Sequence, residues 1–204
     1  MRFPELGPRS ILSAALSLAT ATLTLAGCGS TAPTIRVTSP FTAEHALVFD
    51  DGADYVARPD ALDGDWREDW DRDMQKRVGF SDTICVVTVN TLRIDTDLDR
   101  NTTYRLIAHI DRTLYGESPG EELPLIVREG SDGYASINGN DRRILNKTFV
   151  LFLKWYQPPT GDISSHWHLS PASQQILTAT NRMIERRNVA QNPDQREIII
   201  EHEN

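Results

Sequence analysis

The middle of the chain alternates apolar and polar residues with a period of two, which predicts β-strands. Residues 84–95 and 102–115 are rich in Val, Ile, Thr, Tyr and Leu, and the polar segment 95–101 joins them. In the second run, Tyr104 and Leu106 fall on one face of a strand, whereas Arg105 and His109 fall on the other. The pattern therefore predicts a long β-hairpin.

Shorter apolar runs follow the hairpin, and each ends at turn-forming residues. They predict strands at 123–128, 134–137 and 147–156, separated by Gly-containing turns, and a short final strand at 166–169. Five short antiparallel strands joined by tight turns, as predicted over residues 84–156, are typical of a small barrel. We therefore expect a mainly β (α+β) domain over residues 42–187.

Two helices are expected to flank the strands. The first covers residues 65–78, where Trp66, Trp70 and Met74 recur at helical spacing, acidic residues come first and basic residues last, and Gly79 follows as a predicted C-cap. The second is expected to start at Ser170 as N-cap, with Pro171 in its first turn. Its predicted apolar face consists of Ile176, Leu177, Thr180, Met183 and Ile184. A polar tail is expected over residues 188–204.

The strand region resembles the OB-like barrels of exported bacterial proteins. The residues that carry this resemblance are Tyr104–Leu106, Leu114–Gly116, Leu123–Val127 and Phe149–Leu153. The resemblance implies a five-stranded OB-like barrel, and it implies no particular activity, because such barrels have many functions.

The N-terminal segment has the parts of a secretory signal. Arg2 and Arg9 give a positive start, and a 15-residue apolar run follows at 11–25, which is shorter than the roughly 20 residues of a membrane-spanning helix. The run ends in Leu25-Ala26-Gly27-Cys28, which resembles the lipobox of bacterial lipoproteins. Alternatives are an uncleaved anchor and an ordinary secreted protein.

The lipobox resemblance implies a location. Residues 1–27 would be a signal peptide cut before Cys28, the Cys28 thiol would carry a diacylglycerol, and residues 28–41 would form a tether. Because Gly29 stands where Asp commonly signals retention at the inner membrane, the resemblance favours the outer membrane, on its periplasmic or surface face. The expected location is the cell envelope, with the lipid as the contact to the membrane.

The net charge and the cysteine content bear on the kind of partner and on whether a disulfide stabilises the fold. The chain has a net charge of −8, and the mature chain would have −9, which argues against nucleic acid as a partner. Cys85 is the only other cysteine and lies in a strand-like sequence, so we expect a buried thiol and no intramolecular disulfide.

Two groups of residues resemble parts of metal sites. His166 and His168 would point to the same side of a strand, as a zinc pair requires, but a third ligand such as His109, His45 or a carboxylate is not evident from spacing. Asp95, Asp97 and Asp99 resemble the start of a calcium loop, although Arg100 and Leu106 occupy positions that need Gly and Glu. The acidic turn 50–54 is a similar candidate. In each case the alternative is a solvated or structural role.

Three hypotheses for the function follow. The first is a lipid-anchored binding or structural module of the envelope rather than an enzyme, with an envelope protein or polysaccharide as partner and no cofactor. The second is a metal-dependent hydrolase or metal-binding protein that uses His166 and His168. The third is a carbohydrate-binding module that uses Trp66, Trp70 or Trp155, although such a tryptophan stripe also suits helix docking.

Overall fold

The computed structural model of the protein describes residues 35–159 and 161–191. The predicted signal peptide, Cys28 and most of the predicted C-terminal tail lie outside the described residues. In chain order, the elements are α1 (Ala43–Ala46), β1 (Gly52–Ala53), a 3₁₀ turn (Pro59–Ala61), α2 (Asp65–Phe80), β2 (Thr83–Thr96), β3 (Thr102–Tyr115), β4 (Glu122–Arg128), α3 (Tyr134–Ile137), α4 (Asp141–Ile144), β5 (Thr148–Tyr156), β6 (Ser164–Pro171) and α5 (Gln174–Gln191).

Six of these elements form one mixed sheet in the order β1-β6-β5-β2-β3-β4. β1 runs parallel to β6, and all other neighbours are antiparallel. The mainly β fold with flanking helices is as predicted, but the curled sheet has six strands rather than five. β1 has only two residues, so no alternation in the sequence could reveal it.

The predicted hairpin is confirmed as β2 and β3, which pair along their whole length, from Ile84 opposite Tyr115 to Thr96 opposite Thr102. The register shifts at three places in β2, the last of them between Val89 and Thr91. Such bulges bend a strand and increase its twist, which accounts for the curl of the sheet.

Alternate residues of the central strands are buried on opposite faces of the sheet. On one face, Cys85, Val87 and Val89 join an inner cluster with β3, β4 and α3, whereas Ile84 and Phe152 on the other face pack against α2 and α5. The helix residues in this second cluster are Trp70, Met74, Val78, Ile176 and Ile184. The burial of Cys85 and the docking of both helices are therefore confirmed.

Residues 35–41, which were expected to belong to the tether, pack against the domain. Ile35 and Val37 contact the inner cluster. Ser39 accepts a hydrogen bond from Nζ of buried Lys154 at 2.9 Å, and the same ammonium lies 2.9 Å from both carboxylate oxygens of Asp82. The packed part of the chain thus includes this segment.

Residues 134–137 do not form the predicted strand. They form the single helical turn α3, in which Tyr134 packs against the inner cluster and Ile137 is fully buried. These two apolar residues are three apart, a spacing that faces one way in a helix but opposite ways in a strand. Burial of both side chains in one core therefore selects the helix.

The predicted helix ends also differ from the observed ones. Gly79 lies inside α2, and Ser81 is the C-cap, with its hydroxyl donating to the carbonyl of Arg77 at 2.6 Å. Ser170 and Pro171 belong to β6, and α5 begins only at Gln174. α5 then continues to Gln191, so the first residues of the predicted tail are helical.

Candidate functional site: a histidine–aspartate cluster beside a cleft

The acidic turn that contains β1 lies along β6. The amide of Asp51 donates to the carbonyl of Trp167, and the amide of Asp54 donates to that of Leu169, both at 2.9 Å. The amide of Gly133 donates to the carbonyl of Asp50 at 2.8 Å. Asp51 has φ = 57°, a left-handed conformation that aspartate tolerates better than most residues. The turn therefore presents three carboxylates to β6.

His168 is the buried centre of the cluster, with 3% of its surface exposed. Its Nδ1 lies 2.7 Å from Oδ1 of Asp50, and its Nε2 lies 3.3 Å from Oδ2 of Asp54. A carboxylate can only accept hydrogen bonds, so both contacts are hydrogen bonds when the ring carries a proton on each nitrogen. The two aspartates thus contact the ring at both of its nitrogen atoms inside the fold.

Asp54 also gathers two other side chains. Its Oδ2 accepts from the hydroxyl of Ser170 at 2.6 Å and lies 3.2 Å from Nη1 of Arg77, which is itself buried. Burial would raise the pKa of Asp54 and of Asp50, but His168 and Arg77 outweigh burial and hold both pKa values below the usual 3.8. The network therefore keeps both carboxylates ionised.

His166 lies two residues earlier on β6 and is partly exposed. Its Nδ1 lies 2.9 Å from Oδ2 of Asp51. Its ring packs against the rings of Phe41 and Tyr156, with centroid distances of 4.2 and 4.7 Å, and those two rings lie 5.7 Å from each other, so the three rings form a cluster. The side chain is thus fixed in orientation, and Nε2 has no hydrogen-bond partner among residues 35–159 and 161–191.

A cleft of about 120 Å³ borders His166. Pro124, Ile126 and Arg128 of β4 line it on one side, and Ser164, Ser165, His166 and Trp167 of β6 line it on the other, with Asp51 and Tyr156 completing the wall. A wider, open groove of about 600 Å³ lies between the segments 37–41 and 156–159. Phe41 and Tyr156 line this groove, so the stack around His166 joins the two depressions.

The proposed zinc ligands His166 and His168 lie on one strand, as predicted, but each Nδ1 contacts a different aspartate. Within the part of the chain that the structure describes, no group of three or more His, Cys, Asp or Glu side chains is arranged to hold a metal ion. Zinc binding therefore stays a prediction.

The proposed calcium ligands lie at the exposed end of the β2–β3 hairpin. Asp95 pairs with Arg105, and the carboxylate of Asp97 accepts hydrogen bonds from the amide and the side chain of Asn101 at 2.8 and 3.0 Å. These hydrogen bonds lower the pKa of Asp97. The carboxylates of Asp95 and Asp97 thus have protein partners, and Asp99 lies in the turn between Asp97 and Asn101.

The three candidate tryptophans are in different environments. Trp66 is 78% exposed on α2, whereas Trp70, one turn later, is buried between α2 and the sheet. Trp155 belongs to the inner cluster and donates from Nε1 to Oγ1 of Thr83 at 3.2 Å. The structure does not bring the three together on one surface.

The partners of the two histidines differ from the expectation for these residues. The sequence predicts a solvated or calcium-binding turn at Asp50, Asp51 and Asp54, and it predicts a tether at Phe41. The segment Asp50–Asp54 contains three carboxylates and a glycine, which marks a special turn, but no pattern in the sequence connects it to a strand more than 100 residues later.

No protein-family model matches this chain, and no curated protein is found to be similar to it. Among the described residues, none of the helices is both long enough and apolar enough to cross a membrane.

Proposed function

We propose that the protein is a lipid-anchored protein of the cell envelope whose β domain binds an envelope polysaccharide. The N-terminal sequence supports the anchor, because a basic start, a short apolar run and Cys28 after Ala26-Gly27 occur in the order that lipidation requires. A diacylglycerol on Cys28 would attach the chain stably, since a single acyl chain binds membranes only marginally.

The order of the strands supports an OB-like description of the domain. β2, β3 and β4 form a meander, α3 follows, and β5 returns to pair with β2 before β6. OB folds are partly open barrels that bind oligonucleotides and oligosaccharides with their second and third strands and the loops beside them. The corresponding elements here are β3, β4, and the β2–β3 and β5–β6 loops.

The observation that carries the proposal is the cleft between β4 and β6. Aromatic rings at Phe41, His166 and Tyr156 lie next to hydrogen-bonding groups at Arg128 and Ser165. Binding sites typically combine apolar surface with a few placed polar groups, and sugar rings present apolar faces and hydroxyls that match this mixture. The net charge of −8 favours a saccharide over a nucleic acid.

Co-sedimentation of the full chain with purified cell-wall sacculi tests the proposal. The wild-type chain should sediment with the sacculi, and Tyr156→Ala should weaken the apparent Kd about tenfold, as expected for loss of one aromatic anchor. Trp66→Ala is the matched control, because it removes an exposed aromatic ring from α2. Thermal melting of each variant separates loss of binding from loss of folding.

Two outcomes would contradict the proposal. Wild-type chain that stays in the supernatant would remove the polysaccharide as ligand. Binding that is lost with Trp66→Ala and kept with Tyr156→Ala would move the site to α2.

One observation favours a metal-dependent hydrolase as the second candidate. Histidines that bind metals almost always donate their other ring nitrogen to a carboxylate or carbonyl, and Asp51 holds Nδ1 of His166 in this way. Nε2 of His166 would then be the ligand atom. Elemental analysis after zinc loading tests this candidate, and a sub-stoichiometric zinc content in the wild-type chain would exclude it.

A further inference from the structure

The outer half of β2 has one free edge among the described residues. β5 pairs with β2 only from Thr83 to Thr88, and the last hydrogen bonds on this side join Val89 to Lys147 and Asn146. From Thr91 to Thr96, the strand pairs with β3 alone. Alternate backbone N–H and C=O groups of this segment therefore point away from the sheet.

This free edge carries exposed apolar side chains where natural edges are usually protected by lysine, proline or a covering loop. Ile94 is 51% exposed, and Leu98 at the tip of the hairpin is fully exposed. The segment is also extended and six residues long, which is enough for a further strand to pair with it.

The charges on the outward face of the hairpin are unbalanced. Arg93 lies directly opposite Arg105 on β3, and like charges in this position repel each other. Arg105 forms an ion pair with the nearby carboxylate of Asp95, whereas Arg93 has no carboxylate partner within the described part of the chain. A neighbouring strand that offered a carboxylate opposite Arg93 would relieve this imbalance.

We propose that a second copy of this chain pairs antiparallel along the edge, with Ile94 opposite Ile94 across a two-fold axis. In this register, Arg93 of each copy faces Asp95 of the other, and Leu92 faces Thr96. Residues that lie opposite each other on the two strands point their side chains to the same face of the sheet. The two-fold axis must therefore pass through a residue, and another register moves it by one or more whole residues. Moving it to residue 93 places Arg93 opposite Arg93, and moving it to residue 95 places Asp95 opposite Asp95. Only the register centred on Ile94 pairs both charges.

Disulfide cross-linking of the full chain tests this pairing. In a Cys28→Ala background, buried Cys85 is the only native thiol. Cα atoms of directly opposite residues are about 4.5–5.5 Å apart, a separation that a disulfide spans. Ile94→Cys should therefore form a disulfide-linked dimer under mild oxidation, and non-reducing electrophoresis would detect it.

Leu98→Cys is the matched control. Residue 98 is more exposed than residue 94, so thiols at this position of two chains would meet more often by random collision. In the proposed register, the two copies of residue 98 lie about 26 Å apart, at about 3.3 Å per residue, so they should not cross-link. Arg93→Asp in the Ile94→Cys background should reduce the dimer yield several-fold. Equal cross-linking at both positions, or none at residue 94, would overturn the proposal.

The chain's own C-terminal segment is the other strand that could occupy this edge. Deleting residues 192–204 should leave cross-linking at residue 94 unchanged. A dimer that formed only after this deletion would show that the tail, and not a second copy, covers the edge, and would equally overturn the proposal.

Discussion

Gly133→Ala is expected to disrupt the turn that presents the aspartates to His166 and His168. A Cβ atom at residue 133 would lie 2.5 Å from each of three backbone atoms, the carbonyl oxygen of Asp50, the carbonyl carbon of Asp51 and the amide nitrogen of Gly52. Backbone atoms cannot rotate away as a flexible side chain can. Ordinary contact begins near 3.4 Å, so the turn and α3 must separate by almost 1 Å.

The cost of Gly133→Ala follows from the hydrogen bonds that span this contact. The amide of Gly133 donates to Asp50, the amide of Ala53 donates to the hydroxyl of Ser136 at 2.8 Å, and the hydroxyl of Tyr55 donates to the carbonyl of Ser136 at 2.6 Å. Losing two or three of them at about 1 kcal/mol each destabilises the fold by about 2–3 kcal/mol. The Tm should therefore fall by about 5–10 °C.

Gly79→Ala is the matched control for this prediction. Gly79 lies inside α2, and a Cβ atom there would meet no other atom within 4 Å. Alanine is favoured over glycine in a helix interior by about 0.8–1.0 kcal/mol, so the Tm should rise by about 2–4 °C. Differential scanning calorimetry of both variants checks the opposite signs. A Gly133→Ala chain as stable as wild type would show that the turn and α3 are not in close contact at residue 133.

Three further predictions concern buried groups. Asp82→Asn leaves the ammonium of Lys154 buried without its counter-ion, so the free energy of unfolding from chemical denaturation should fall by about 3–5 kcal/mol. Asp69→Asn, which breaks an exposed ion pair, should lower it by less than about 1 kcal/mol. Equal losses would contradict the role of burial. Cys85, whose pKa burial raises to about 11, should not react with a thiol reagent at pH 8 until the chain unfolds, and rapid labelling of the native protein would contradict its burial. Because the folded-state pKa of Asp54 is lowered, its stabilisation is complete above the unfolded value of about 3.8 and is lost as pH falls through the lower folded value. Asp54→Asn should flatten this acid-induced loss of stability, and an unchanged pH profile would count against the network.

The sequence predicted those parts of the fold in which local pattern and tertiary environment agree. Helix α2 was predicted over residues 65–78 and ends at Phe80, and the β2–β3 hairpin was predicted almost to the residue. In both, a long periodic pattern determines which side chains are buried. The pattern failed at 134–137, where four residues are too few to separate a helical turn from a strand.

The candidate site was only partly predictable, because its contacts join distant segments. The side-by-side placement of His166 and His168 follows from the period of a strand. Their partners Asp50 and Asp51 are more than 100 residues away in the chain, and the parallel pairing of β1 with β6 that brings them there involves two residues of each strand. Ser170 illustrates the same limit, since its predicted role as a helix cap was replaced by a hydrogen bond to Asp54.

Lipid attachment at Cys28 determines where the proposed protein acts, and an intact-mass measurement tests it. The wild-type chain and Cys28→Ala would be expressed in a bacterial host, and the cells would be separated into membrane and soluble fractions. The intact mass of the protein in each fraction would then be measured by mass spectrometry. We expect the wild type to lose residues 1–27, gain the mass of a diacylglycerol and fractionate with the membrane, and we expect Cys28→Ala to do none of these. An unmodified wild-type chain in the soluble fraction, or equal membrane attachment of Cys28→Ala, would contradict lipid attachment at Cys28.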